Sequence, residues 1–201
     1  MSNNKDAFSN IYDTNAWGPG SGPGSGVGLI TPYLSILQRT LDEMKPRRVV
    51  DLGCGYFEPY KNLDWSSCGE YLGVDVVERC IKDNHKYENE KRQFVCADWL
   101  TDKSLHDGDL VICKDVLQHL PHSDVLSGLR MLANYRWALI TNSIILGGEP
   151  PNTDIIAGGC RPLNLLLAPY NLRPSKYETW CAYANHVPDV KLSLWVRGQK
   201  I

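Results

Sequence analysis

The sequence predicts an α/β fold: a doubly wound, mostly parallel sheet of seven strands, with helices on both faces and an antiparallel C-terminal strand. Three observations carry this. Short runs rich in Val, Ile and Leu recur with helix-length spacers between them, the pattern of strands buried on both faces of a parallel sheet. The first such run ends in a glycine-rich turn. The last two runs, Tyr177 to Tyr183 and Val190 to Arg197, are adjacent in sequence and so suit an antiparallel pair.

Taken in order, the polar N-terminus, Met1 to Asn15, lacks the charged-then-apolar order of a secretion signal. Gly18 to Gly28 then holds six of the chain's 17 glycines, alternating with Pro and Ser, and reads as a flexible loop. Thr31 is a good N-cap with Pro32 at the first helical position. Leu34, Leu37, Leu41 and Met44 form one apolar stripe that ends before Pro46. Four strands follow at Arg48–Leu52, Tyr71–Val77, Gln93–Ala97 and Asp109–Cys113. A helix from about Ser123 to Asn134 precedes a fifth strand at Trp137–Asn142. The stretch from Gly147 to Ser175 fits neither period, and long ordered loops in compact domains are usually functional.

Composition excludes several classes. Apolar residues are 43% and charged residues 22% of 201, which suits one globular domain, residues 1–201. Lys plus Arg is 21 against 23 for Asp plus Glu, a net charge of −2 that argues against a nucleic-acid partner. No apolar run approaches the roughly 20 residues of a membrane helix. Seven scattered cysteines with no CxxC pair, and no secretion signal, point to reduced thiols and a cytoplasmic setting. No cysteine or histidine spacing suits a metal.

The strongest chemical signal is Val49-Val50-Asp51-Leu52-Gly53-Cys54-Gly55, a buried strand running into an acidic-x-Gly-x-Gly turn. Glycine there lets the backbone approach a nucleotide-like ligand at the carboxyl end of the sheet. A dinucleotide fingerprint would need a third glycine where Glu58 stands, and no G-K-[ST] phosphate loop is present. Asp75 closes the second strand, where a carboxylate can accept both hydrogen bonds of a ribose diol. Asp98-Trp99 ends the third, offering a carboxylate and an aromatic face to an adenine. Lys114-Asp115-Val116-Leu117-Gln118-His119 ends the fourth. Four consecutive strand ends thus carry polar groups at the edge where such sheets bind ligands.

From Arg48 to Asn142 the sequence resembles the class I S-adenosylmethionine-dependent methyltransferases, in particular the small-molecule-type branch with D-L-G-C-G and D-V-L-x-H-L motifs. The resemblance implies a Rossmann-like sheet and S-adenosyl-L-methionine as cofactor. It implies that Asp51, Gly53 and Gly55 line the methionine part, that Asp75 (with Val76 beside it) holds the ribose, and that Asp98 and Trp99 face the adenine. Lys114 would lie beside the sulfonium. Where the family often has a further glycine, this chain has Phe57, so that the turn is displaced or an aromatic packs over the cofactor. The resemblance also implies that residues 1–30, with Trp17, fold over the cofactor as a lid, and that residues 143–176 form a substrate-side insertion.

For chemistry, His119 is the candidate general base, and Asp115, four residues before it, would meet it across a helical turn. Asp115 is equally suited to capping the following helix. Arg161 and Tyr170 are the candidate substrate-facing residues. The expected reaction is methyl transfer to a small polar molecule or a glycan hydroxyl. A nucleic-acid or protein methyltransferase and a cofactor-binding module without activity are the alternatives.

Overall fold

The computed structural model describes residues 4–18, 20–22, 30–105, 107–147, 152–184 and 187–198. Most of the Gly/Pro/Ser stretch expected to be a flexible loop, residues 19 and 23–28, lies outside them. Seven strands form one sheet: β1 (Arg48–Leu52), β2 (Glu70–Asp75), β3 (Arg92–Cys96), β4 (Leu110–Lys114), β5 (Trp137–Ile144), β6 (Lys176–Ala184) and β7 (Val187–Arg197). Their order is β3-β2-β1-β4-β5-β7-β6. The first five run parallel, and β7 is antiparallel to both neighbours, β5 and β6. The chain order reverses between β1 and β4, the switch point where such sheets open a ligand crevice at their carboxyl ends.

Alternation along the strands splits the core into two layers. Val49, Ile112 and Leu139 face one side; there they meet Tyr33, Ile36, Leu37 and Leu41 of helix α2 (Thr31–Met44), the second helix after α1 (Asn4–Asp13). Val50, Val111 and Ile140 face the other, against Val125 and Leu132 of α4 (His122–Leu132). The remaining helix, α3 (Glu78–Asn84), follows β2. The α2 stripe is rotated from the expected one. Tyr33 and Ile36 are in the core, whereas Leu34 and Met44 only pack against it. Its cap also differs: Ile30 is the N-cap, without a side-chain bond, and Thr31 is already helical with Pro32 in the first turn.

Between β1 and β2 there is no α-helix, only a 3-10 turn at Glu58–Tyr60. Pro59 and the polar run Lys61 to Ser67 offer no 3.6-residue apolar face there. An aromatic cluster does the covering instead. Phe57 is fully buried, with ring centroids 5.2–6.0 Å from those of Tyr60, Trp65, Tyr71, Tyr87 and Phe94. The Arg92 guanidinium stacks 4.5 Å from the Phe57 centroid. Phe57 is therefore a core residue and packs over no cofactor.

Helix α1, which the polar N-terminal sequence did not announce, docks across the carboxyl ends of the strands. Asn4 Nδ2 donates to Asp124 Oδ2 of α4 at 3.2 Å, and Phe8 packs against the α4-side core.

Candidate active site

A cavity of about 310 Å³ opens at the carboxyl ends of β1 to β4, beneath α1. The β1 turn forms its floor. Gly53 has φ +72° and Gly55 φ +52°, the left-handed region that favours glycine. A Cβ on Gly53 would sit 2.4 Å from Val116 Cγ2, in the loop after β4. One on Gly55 would sit 2.3 Å from Ser21 Oγ. Glycine is thus required by conformation and by space, and the bare backbone is left to face the cavity.

Asp51 is buried at this turn and accepts a hydrogen bond from the Tyr71 hydroxyl at 2.8 Å. Burial raises its pKa from 3.8 to about 7, against the Tyr71 bond and the Lys114 charge, which favour ionisation. Asp75 is also pushed up by burial, offset by backbone N–H donors. Its Oδ2 accepts from Gly55 N (2.8 Å) and its Oδ1 from Val77 N (2.9 Å), so it braces the glycine turn as well as facing the cavity. Val76 lies beside it. After β3, Asp98 Oδ1 accepts from Leu100 N, and Trp99 packs against Gly128 of α4. Gly128 makes that contact possible, since a Cβ there would meet the indole at 2.8 Å.

The end of β4 holds the densest charge. Asp115 has φ +55°, a strained backbone for a non-glycine residue that aspartate tolerates better than most. Its carboxylate bridges Lys114 Nζ at 2.6 Å and Lys191 Nζ at 2.8 Å. Burial would raise its pKa, but the two ammonium groups outweigh this and hold it at about 2. Lys191, on β7 and 1% exposed, also bonds Ser143 Oγ (2.7 Å) and Asp189 Oδ2 (2.8 Å). Its pKa is raised, the two aspartates prevailing over burial.

His119 ends the 3-10 turn Leu117–His119 and lines the cavity, with the Trp17 ring 4.4 Å from its own. Burial lowers its pKa, opposed chiefly by the bond from Nδ1 to the Gly159 carbonyl (2.7 Å). The imidazole is therefore neutral at pH 7 and able to take a proton.

Every residue expected on the cofactor side lines this one cavity: Asp51, Gly53, Gly55, Asp75, Val76, Asp98, Trp99, Lys114 and Trp17. On the acceptor side the structure does not bring all the expected residues together at the cavity. No helical turn joins Asp115 to His119: residue 115 is left-handed, its oxygens are held by the two lysines, and the histidine bonds Gly159 instead. Arg161 and Tyr170 do not line the cavity. Arg161 is 3% exposed and donates to the Leu120 carbonyl, and its Nη2 reaches the Tyr170 hydroxyl. A buried guanidinium seeks such acceptors; the carbonyl is on the turn after β4 and the hydroxyl is in its own loop.

Lys191, Asp189 and Ser143 were missed in the sequence. The one available signal was a lysine between Val190 and Leu192 at an inward position of a strand. Its pairing with Ser143 depends on the β5–β7 register, which the sequence does not reveal.

A second polar cleft, lined by Arg47, Arg48, Arg136 and Arg197, lies at the opposite ends of the strands. Arg47 pairs with Asp109 there and Arg48 with Asp107. With Glu70 also lining it, this surface is of mixed charge, and it shares no lining residue with the cavity. Among the described residues no group of three metal-ligating side chains converges, and no helix is long and apolar enough to cross a membrane.

Residues 50–134 match the family model described as a methyltransferase domain. No curated protein matches the chain. Among solved structures, the Burkholderia thailandensis 1,6-didemethyltoxoflavin-N1-methyltransferase with bound S-adenosylhomocysteine is 15% identical, with a TM-score of 0.70 over 98% of this chain and 87% of that one. Magnesium protoporphyrin IX methyltransferase from Synechocystis PCC 6803, with bound SAM, is 14% identical, with a TM-score of 0.64 over 98% of each. The N-methyltransferase NodS from Bradyrhizobium japonicum WM9 is 12% identical, with a TM-score of 0.59 over 83% of this chain and 88% of that one. At these identities the likeness is one of fold.

Proposed function

We propose that this chain, whose residues 50–134 match the methyltransferase-domain model, is a class I S-adenosylmethionine-dependent methyltransferase and that it methylates a small polar molecule or a sugar hydroxyl. The observation that carries the cofactor reading is the convergence of four parallel strand ends on one cavity at the sheet's switch point, each bringing a polar group. The residues fit the cofactor's chemistry. Gly53 and Gly55 leave a cradle that a Cβ would fill, and Asp51 and Asp75 are buried carboxylates suited to an ammonium and a ribose diol. Asp98 and Trp99 suit the adenine, Val76 and the Lys114 backbone complete the wall, and Trp17 closes it from the turn after α1. S-adenosylmethionine supplies an activated methyl group, taken by the acceptor heteroatom in line with the departing sulfur.

The protein's own share is alignment and exclusion of water. Trp17 and α1 roof the cavity, which supports reading the N-terminal segment as a lid, with the segment after β5 as the acceptor-side insertion. Neutral His119 holds a ring nitrogen ready for the acceptor's proton. The Asp115–Lys191–Asp189 chain with Ser143 makes the acceptor side polar, which supports a polar acceptor over a greasy one. Two fold neighbours whose names give small-molecule substrates, a toxoflavin precursor and a magnesium porphyrin, agree with the size class. Seven unpaired thiols suit the cytoplasm.

The test is methyl transfer from labelled S-adenosylmethionine to a panel of hydroxylated small molecules and sugars, with His119→Ala alongside. The variant is expected to lose about 10²–10⁴-fold in turnover while keeping its affinity for S-adenosylhomocysteine. An equal loss of both would make His119 structural.

A further inference from the structure

The carbonyls of Gln118, His119 and Leu120 end a 3-10 turn and need donors. All three find them in the loop after β5. Gly158 N donates to the His119 carbonyl at 2.9 Å. Arg161 supplies the others: its backbone N reaches the Gln118 carbonyl at 3.2 Å, and its Nη1 reaches the Leu120 carbonyl at 2.7 Å and the Gln118 carbonyl at 3.4 Å. The same loop presents the Gly159 carbonyl to His119 Nδ1.

Two independent contacts then fix where the imidazole proton sits. A carbonyl only accepts, so Nδ1 must carry the hydrogen. On the other side, Gln118 Nε2 lies 3.4 Å from His119 Nε2. The orientation of that amide is set elsewhere, because Ser143 N, which can only donate, bonds Gln118 Oε1 at 2.7 Å. The Gln118 group facing the histidine is therefore NH₂, a donor, and His119 Nε2 must hold the lone pair.

We propose that Arg161 is a positioning residue for His119: it staples the Gly159 loop to the Gln118–Leu120 turn, so that the imidazole is held as the Nδ1–H tautomer with Nε2 as its basic atom. The role of the base rests on the function proposed above, but the tautomer does not. It also gives the buried arginine a task that replaces the substrate contact expected of it. The Nδ1–H form is the minor tautomer of a histidine free in water, so finding it populated requires a cause in the fold.

The experiment is a two-bond ¹H–¹⁵N correlation spectrum of the full chain at pH 8, with the His119 signals assigned by their loss in His119→Gln. The wild type is expected to show a protonated Nδ1 and an unprotonated Nε2. In Arg161→Gln the ratio of Nδ1–H to Nε2–H should fall roughly five- to tenfold, the weight of one lost hydrogen bond. Arg161→Lys, which can still reach one carbonyl, should fall between. Affinity for S-adenosylhomocysteine should stay within about twofold, since Arg161 does not line the cavity. A wild-type spectrum dominated by Nε2–H overturns the proposal without any variant. So does an unchanged tautomer in a destabilised Arg161→Gln, the outcome of a merely structural role; if that variant does not fold, Arg161→Lys decides in the same way. Because no acceptor or turnover is involved, failure of His119 as a base would leave this result standing.

Discussion

Replacing Asp51 by Asn should stabilise the ligand-free protein at alkaline pH while removing its affinity for cofactor. Asp51 is buried, and its pKa is raised from 3.8 to about 7, desolvation being the chief cause. A carboxyl whose pKa is raised on folding binds more protons in the native state than in the unfolded one between those two values. Its ionisation therefore weakens the fold progressively as pH climbs from 3.8 to about 7, and by a constant amount above that. At about 1.36 kcal/mol per pH unit, the part of this penalty that develops between pH 5 and pH 7 is about 2.7 kcal/mol. Asparagine keeps the shape and still accepts from the Tyr71 hydroxyl, and it does not titrate. Urea unfolding of both proteins at pH 5 and pH 8 should show the variant's stability relative to wild type rising by about 2–3 kcal/mol. A difference that is the same at both pH values would refute the assignment of a titrating, buried Asp51.

Other residues give sharper local tests. Asp75→Ala should weaken S-adenosylhomocysteine binding by about 1–3 kcal/mol, read by calorimetry, since it removes the proposed ribose acceptor and the brace on Gly55. Gly53→Ala should destabilise the fold by about 2–4 kcal/mol in urea unfolding, because φ +72° strains any L side chain and the new methyl would press on Val116. Lys191→Met should cost about 3–5 kcal/mol by breaking a buried ion pair, and it should change the acid limb of stability. In the wild type the depressed Asp115 pKa contributes about 2 kcal/mol above pH 3.8, lost as pH falls through about 2; without Lys191 an acid titration should show a smaller loss.

The parts of this protein legible in the sequence were those set by local pattern. β1 is bounded as its apolar run predicts, and β2 to β4 are each shifted by only one or two residues, because a parallel strand buried on both faces has little freedom to look otherwise. The place of Asp51, Gly53, Gly55, Asp75, Asp98 and Trp99 at the cavity was readable for the same reason: each lies at or close to the carboxyl end of a strand, so topology alone carries it there. What depended on long-range register was not readable. Lys191 meets Asp115 only because β7 pairs with β5 so that it stands opposite Ser143. Arg161 looked like a surface ligand because nothing local shows that three carbonyls forty residues away await the loop that carries it. The Asp115–His119 pair failed on one backbone angle, the left-handed φ at 115, which no side-chain spacing records.

The most direct measurement is calorimetric titration of the purified chain with S-adenosylmethionine and, separately, with S-adenosylhomocysteine. The account predicts micromolar binding of both, one site per chain. Failure of a folded sample to bind either would contradict it, and the Asp51–Gly55 turn would then be a structural feature with no cofactor to hold.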